Sequence, residues 1–188
     1  MSRGLLIILS GPSGVGKGTV REELFKDESL NLAYSISMTT RQARPKEKNG
    51  IDYFFVSTDE FEKKIENGEL LEYAKFVGNY YGTPKNYVDE LLEQGKNVVL
   101  EIEVQGALQV MEKCKDALTI FLVPPSFEEL ERRIRGRRTE AEEVVRERLD
   151  KARKEIATKD EYKYVVENDN VLAAKEKIAK IIKENLEA

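Results

Sequence analysis

Short runs of consecutive apolar residues alternate along the chain with longer stretches in which apolar positions recur at helical spacing. That rhythm predicts βα units, and hence a parallel sheet flanked by helices. Leu5–Ser10 reads as a buried strand, followed by a glycine-rich turn and a helix through about Lys26. Asn97–Ile102 and Leu118–Val123 are strands of the same kind, and Tyr162–Val166 is a less apolar one. Helices are expected over Pro84–Gln94, Val104–Lys113, Ser126–Arg135, Glu140–Thr158 and Leu172–Leu186. Ser126 with Glu129 makes a capping-box start, and Pro84 and Gly95 bracket another helix in the order that helix ends prefer.

Two segments break the rhythm. Tyr34–Tyr87 holds strand-like pieces at Asp52–Val56 and Leu70–Phe76, a short helix near Thr58–Glu66, and turn signals at Asn49–Gly50 and Gly78–Asn79. It reads as an insertion with its own small mixed or antiparallel sheet. Phe127–Arg153 is almost wholly helical and carries most of the arginines. The expected organisation is one domain, with a core of residues 1–33, 88–126 and 154–188, an insertion at 34–87 and a helical excursion at 127–153.

Composition narrows the chemistry. The 188 residues suit one compact domain. A formal charge of −4 argues against a nucleic-acid binder. With no histidine and one cysteine, Ser-His-Asp and Cys-His catalysis, histidine metal sites and intrachain disulfides all fall away. Cys114 reads as a small apolar residue on a helix. No window approaches 18 apolar residues, and Leu5–Leu9 is too short for a signal-peptide core, so a cytoplasmic protein with no membrane partner is expected.

Gly11-Pro12-Ser13-Gly14-Val15-Gly16-Lys17 follows a buried strand and opens a helix, the setting a phosphate-binding loop requires. Glycines let successive backbone N–H groups turn inward on a phosphate, and the helix N-terminus adds favourable partial charge. Lys17 would reach the β- and γ-phosphates; the bland alternative is a strand-to-helix turn with no ligand. Gly18 stands where such loops usually place the hydroxyl that touches Mg²⁺, and Thr19 follows.

Ser35-Ile36-Ser37-Met38-Thr39-Thr40-Arg41, Arg44-Pro45, Asn49 to Phe55, Gly78 to Thr83 and Glu101 to Gly106 together closely resemble guanylate kinases. Pro124-Pro125-Ser126, Arg137 to Glu140 and Val166 to Asp169 extend the match over essentially the whole chain. The resemblance implies a three-layer α/β P-loop kinase fold with a parallel five-stranded core sheet, a GMP-binding insertion and a helical lid. It implies ATP and GMP as substrates, with Mg²⁺ as cofactor. By resemblance Glu72 faces guanine N1–H and the N2 amino group, with Glu103 near that amino group, while Ser37 and Thr83 offer hydroxyls to O6. Arg41, Arg44, Tyr53 and Tyr81 match positions that hold the GMP phosphate. Arg137 and Arg148 match those that neutralise transition-state charge, and Asn168 matches the adenine pocket. Glu101 and Thr19 would meet Mg²⁺ through water. One departure is Arg138, where the family generally has glycine.

Taken alone, these residues read more plainly. Glu72 would be a solvent-facing residue on an alternating strand, Arg41 and Arg44 a solvated basic turn, and Tyr80 and Tyr81 sheet packing. Arg132, Arg133, Arg135, Arg137 and Arg138 would be a solvated helix face or a nucleic-acid patch. A guanylate-kinase-like interaction module is the rival from another class, and a P-loop kinase for a different small acceptor is the second. The intact loop through Lys17 disfavours the module. The oligomeric state is not legible.

Overall fold

The computed structural model describes residues 2–136 and 140–188. In chain order its elements are β1 (Leu6–Ser10), α1 (Lys17–Phe25), β2 (Leu32–Tyr34), β3 (Met38–Thr39), β4 (Phe54–Phe55), α2 (Thr58–Glu66), β5 (Leu70–Phe76), β6 (Asn79–Pro84), α3 (Lys85–Glu93), β7 (Asn97–Glu101), α4 (Val104–Lys113), β8 (Leu118–Val123), α5 (Phe127–Arg135), α6 (Glu142–Ile156), β9 (Tyr164–Glu167) and α7 (Val171–Glu187).

Five strands form one sheet in the order β2-β7-β1-β8-β9, and every neighbouring pair is parallel. Side chains alternate between the faces of a strand. Accordingly Ile7 and Leu9 of β1 join Val20 and Leu24 of α1 and Ala174, Ile178 and Ile182 of α7 on one side. Leu6 and Ile8 join Val88 and Leu92 of α3 and Val104, Ala107 and Val110 of α4 on the other. Helices thus cover both faces, giving the expected three layers. The fifth core strand is β2, a three-residue edge strand absent from the sequence reading. The last strand begins later than expected because Lys159–Glu161 forms a 3₁₀ turn. That turn leaves Tyr162 buried against Phe121, with ring centroids 4.9 Å apart.

A second sheet, ordered β4-β3-β6-β5, occupies the segment read as an insertion. It is mixed: β5–β6 and β6–β3 are antiparallel, while β3–β4 is parallel. Its small core holds Met38, Phe61 and Leu70, and Tyr80 stacks on Phe61 at 4.8 Å, the packing role expected of it in isolation. α5 and α6 meet through Leu130, Ile134, Val145, Leu149 and Ala152. Ser126 caps α5 by accepting the Glu129 backbone N–H at 3.1 Å. Among the described residues, no helix is long and apolar enough to cross a membrane.

Candidate functional site

In parallel sheets, ligands gather at the carboxyl ends of the strands. The loop after β1 and the Glu101-Ile102-Glu103 segment at the end of β7 lie side by side at that edge. Gly16 has φ +95°, and a Cβ there would stand 2.7 Å from Asn168 Nδ2, so both backbone and space require glycine. Asn168, only 3% exposed, donates from Nδ2 to the Val15 carbonyl at 2.7 Å. The residue expected at an adenine pocket thus braces the loop through its amide N–H, while its Oδ1 has no partner among the described residues. We expect Asn168→Ala to cost roughly 1–3 kcal/mol, because the Val15 carbonyl loses its buried donor. A thermal melt checks this, and an unchanged Tm would remove the bracing role.

Lys17 folds back over the loop, and its Nζ donates to the Gly11 carbonyl at 2.6 Å. Burial pulls its pKa below the usual lysine value, while Glu155, Glu101 and Glu103 push it back up. The loop bounds a cavity of about 410 Å³ that also touches Ser13, Thr19, Glu101, Glu103, Lys151 and Glu155. Glu101 accepts from Arg21 Nε and stands beside Gly18, where a Cβ would lie 3.7 Å from its carboxylate.

One face of α6 leans on this loop, because residues three and seven apart share a helix face. Arg148 donates to Ser13 Oγ at 3.0 Å and to both Glu140 carboxylate oxygens at 2.9 Å. Lys151 pairs with Glu103 at 3.3 Å, and Glu155 is buried. Burial raises the Glu155 pKa, while Lys151 and Lys17 oppose the rise. Arg137, expected beside Arg148, lies outside the described residues, as does Arg138. Arg132 and Arg133 are held by Glu129, and Arg135 by Glu131 and Glu142. These three arginines brace the helices, closer to the plain reading of the cluster than to a phosphate-facing one.

A second cavity, about 510 Å³, opens between the two sheets and is lined in part by Ser37, Glu47, Tyr53, Glu72, Tyr81 and Glu103. Glu72 is not the solvent-facing residue its strand position suggests: it is 7% exposed, and a Cβ on Gly106 of α4 would come within 2.6 Å of its carboxylate. Thr83 Oγ1 donates to Glu72 Oε1 at 2.8 Å. Thr83 thus holds Glu72 from behind, and Ser37 is the aliphatic hydroxyl among the cavity's lining residues. Burial raises the Glu72 pKa, and the Thr83 bond and Lys113 partly offset this.

Tyr53 and Tyr81 line the cavity together with Glu47, and Arg41 packs against Tyr53. The Tyr53 and Tyr81 rings stand 6.2 Å apart, and the Arg41 guanidinium carbon lies 5.4 Å from the Tyr53 ring centre. Arg41 forks onto Glu47 at 2.9 and 3.0 Å, and the Arg44 backbone N–H reaches the same carboxylate at 2.9 Å. The Arg44 side chain is exposed. Glu103 is exposed beside both cavities. The two cavities share Glu101, Ile102 and Glu103 as a common wall. A phosphate donor on the loop and an acceptor in the second cavity would therefore meet. Sequence reasoning missed Glu47, Lys151 and Glu155. The last two were findable from their spacing behind Arg148, and Glu47 from its place in the same basic turn as Arg41.

The guanylate kinase family model matches residues 3–185. The chain is 57% identical to a guanylate kinase of Streptococcus thermophilus over 180 residues, 96% of this chain and 86% of the relative. It is 59% identical to one of Oceanobacillus iheyensis over 181 residues, 96% and 87% of the two chains. The crystal structure of guanylate kinase from Anaplasma phagocytophilum superposes with a TM-score of 0.74 at 34% identity, covering 98% of this chain and 87% of that one.

Proposed function

The chain belongs to the guanylate kinase family, and we propose that its two joined cavities divide that family's reaction between them, ATP on the loop and GMP between the sheets. The activity is transfer of the γ-phosphate of ATP to GMP, giving ADP and GDP. The observation that supports the division is the shared wall at Glu101, Ile102 and Glu103, which makes the two cavities neighbours, as a transfer between bound phosphates requires.

In this reading residues 34–87 bind GMP and residues 127–153 form the lid. Guanine offers N1–H and its amino group as donors and O6 as an acceptor. Glu72 accepts from the first two, held by Thr83, while Ser37 donates to O6 and Glu103 stands near the amino group. Adenine places a lone pair at N1, so a buried carboxylate there repels it. Arg41, Arg44, Tyr53 and Tyr81 grip the acceptor phosphate.

A phosphate monoester has its second pKa near about 6, so the attacking oxygen is already largely deprotonated and needs no general base. The protein's work is positioning and charge neutralisation by Lys17, Arg41, Arg148 and Arg137. The described residues hold no cluster of three acidic or thiol side chains suited to caging a metal. Mg²⁺ is usually bound by one or two carboxylates, waters and substrate phosphates. Thr19 and Glu101 would hold it through water, and the ion would supply positive charge along the polyphosphate. The setting is the cytoplasm.

Glu72→Gln tests base recognition. It removes the charge but keeps the shape, and it should narrow the preference for GMP over AMP by about 10-fold or more in kcat/KM. The variant should fold. A buried carboxyl with a raised pKa binds more protons native than unfolded, so the wild type loses stability as pH climbs through that window, and glutamine escapes the loss. Unchanged selectivity in folded Glu72→Gln would count against this recognition.

A further inference from the structure

Arg41 has five N–H donors, and counting them gives Glu47 a role. Glu47 Oε1 accepts from Nη2 at 2.9 Å and Oε2 from Nη1 at 3.0 Å, so the carboxylate takes the tip of the guanidinium fork. The Gln42 carbonyl accepts from Nη1 at 3.0 Å, using that nitrogen's second hydrogen. What remains is Nε–H and the outer Nη2–H. These lie on one edge of the planar group, spaced to meet two oxygens of one phosphate. The same Glu47 carboxylate accepts the Arg44 backbone N–H, which ties both arginines to one turn.

We propose that Glu47 is a positioning residue for the acceptor phosphate: it holds Arg41 by the tip, beside Tyr53 and Tyr81, so that the side edge is the one left for a phosphate. The proposal rests on reading Arg41 as a ligand of the GMP phosphate. The Glu47 pKa is held at about 2, chiefly by the Arg41 hydrogen bonds and then by the Arg44 N–H. The carboxylate is therefore ionised throughout the range in which the enzyme works. A carboxylate that competed with phosphate would cover the side edge; Glu47 covers the other one.

The test compares Glu47→Gln, Arg41→Ala and the double variant in steady-state kinetics, with calorimetry of GMP and of guanosine, which lacks the phosphate. Glu47→Gln should raise KM for GMP by about 10-fold or more, the weight of hydrogen bonds to charged groups. KM for ATP and the affinity for guanosine should not move, and in the Arg41→Ala background the Glu47 change should add only the small part felt through the Arg44 turn. Glu47→Ala, which removes both acceptor oxygens, should repeat the result if the glutamine variant folds poorly. An unchanged or lowered KM for GMP, an equal loss of guanosine binding, or a full additional loss on top of Arg41→Ala would each overturn the proposal. If Arg41→Ala raises KM and the Glu47 variants do not, the phosphate subsite stands and only the positioning role falls. If Arg41→Ala is silent as well, both fall.

Discussion

Replacing Lys17 with alanine lowers kcat for GMP phosphorylation by about 10²–10³-fold or more, the size of effect seen when one preorganised donor to a developing charge is removed. Lys17 sits over the loop with its ammonium on the Gly11 carbonyl, and burial holds its pKa down. A cation kept in so poorly solvated a place contributes little to folding and much to any phosphate that arrives. The variant therefore stays folded, and its circular dichroism and Tm should be close to wild type. Near-normal turnover in a folded Lys17→Ala protein would take the residue out of the reaction.

Arg148→Ala carries the second large effect, a fall in kcat of about 10³-fold, the low end of what arginines that neutralise the transferring phosphoryl supply. The side chain is already at the loop, bonded to Ser13 and steadied by Glu140. Its contribution depends on a planar fork as well as on charge, so Arg148→Lys should recover only part of the loss. KM for GMP should change little, because Arg148 lies on the donor side of the shared wall. A drop of less than about tenfold would leave Arg148 as a structural tether.

The parts of this architecture that were legible in the sequence are those set by local physics. Leu118–Val123 is apolar but for Thr119 because its neighbours cover both faces, and the structure keeps those bounds. The glycine-rich loop was legible because its backbone demands are local: Gly16 cannot be another residue. β2, β3 and β4, at three, two and two residues, are too short to impose a period. They exist because neighbouring strands supply hydrogen bonds. Glu72 reads as exposed from its strand alone, since nothing local announces that α4 will close over it at Gly106. Only the resemblance pointed to it. Glu47, Lys151 and Glu155 sit in charge-rich stretches where an unpartnered carboxylate or ammonium is the ordinary outcome, and their significance comes from long-range packing.

The resemblance also assigned roles that the geometry redistributes. Thr83 donates its hydroxyl proton to Glu72, and Asn168 donates one amide N–H to the Val15 carbonyl while its Oδ1 has no partner among the described residues. Both residues hold a neighbour in place, Thr83 the Glu72 carboxylate and Asn168 the loop backbone. Mutating either should look like loss of order in a neighbour.

The claim that everything else depends on is that the cavity between the two sheets selects guanine and presents its phosphate to ATP. The most direct measurement supplies the wild-type protein with ATP and, in turn, GMP, AMP, CMP and UMP, and follows ADP release in a coupled assay. The account predicts rapid ADP formation with GMP and rates lower by about 10²-fold or more with AMP and the pyrimidine nucleotides. Equal rates with AMP, or no ADP formation with GMP, would contradict it.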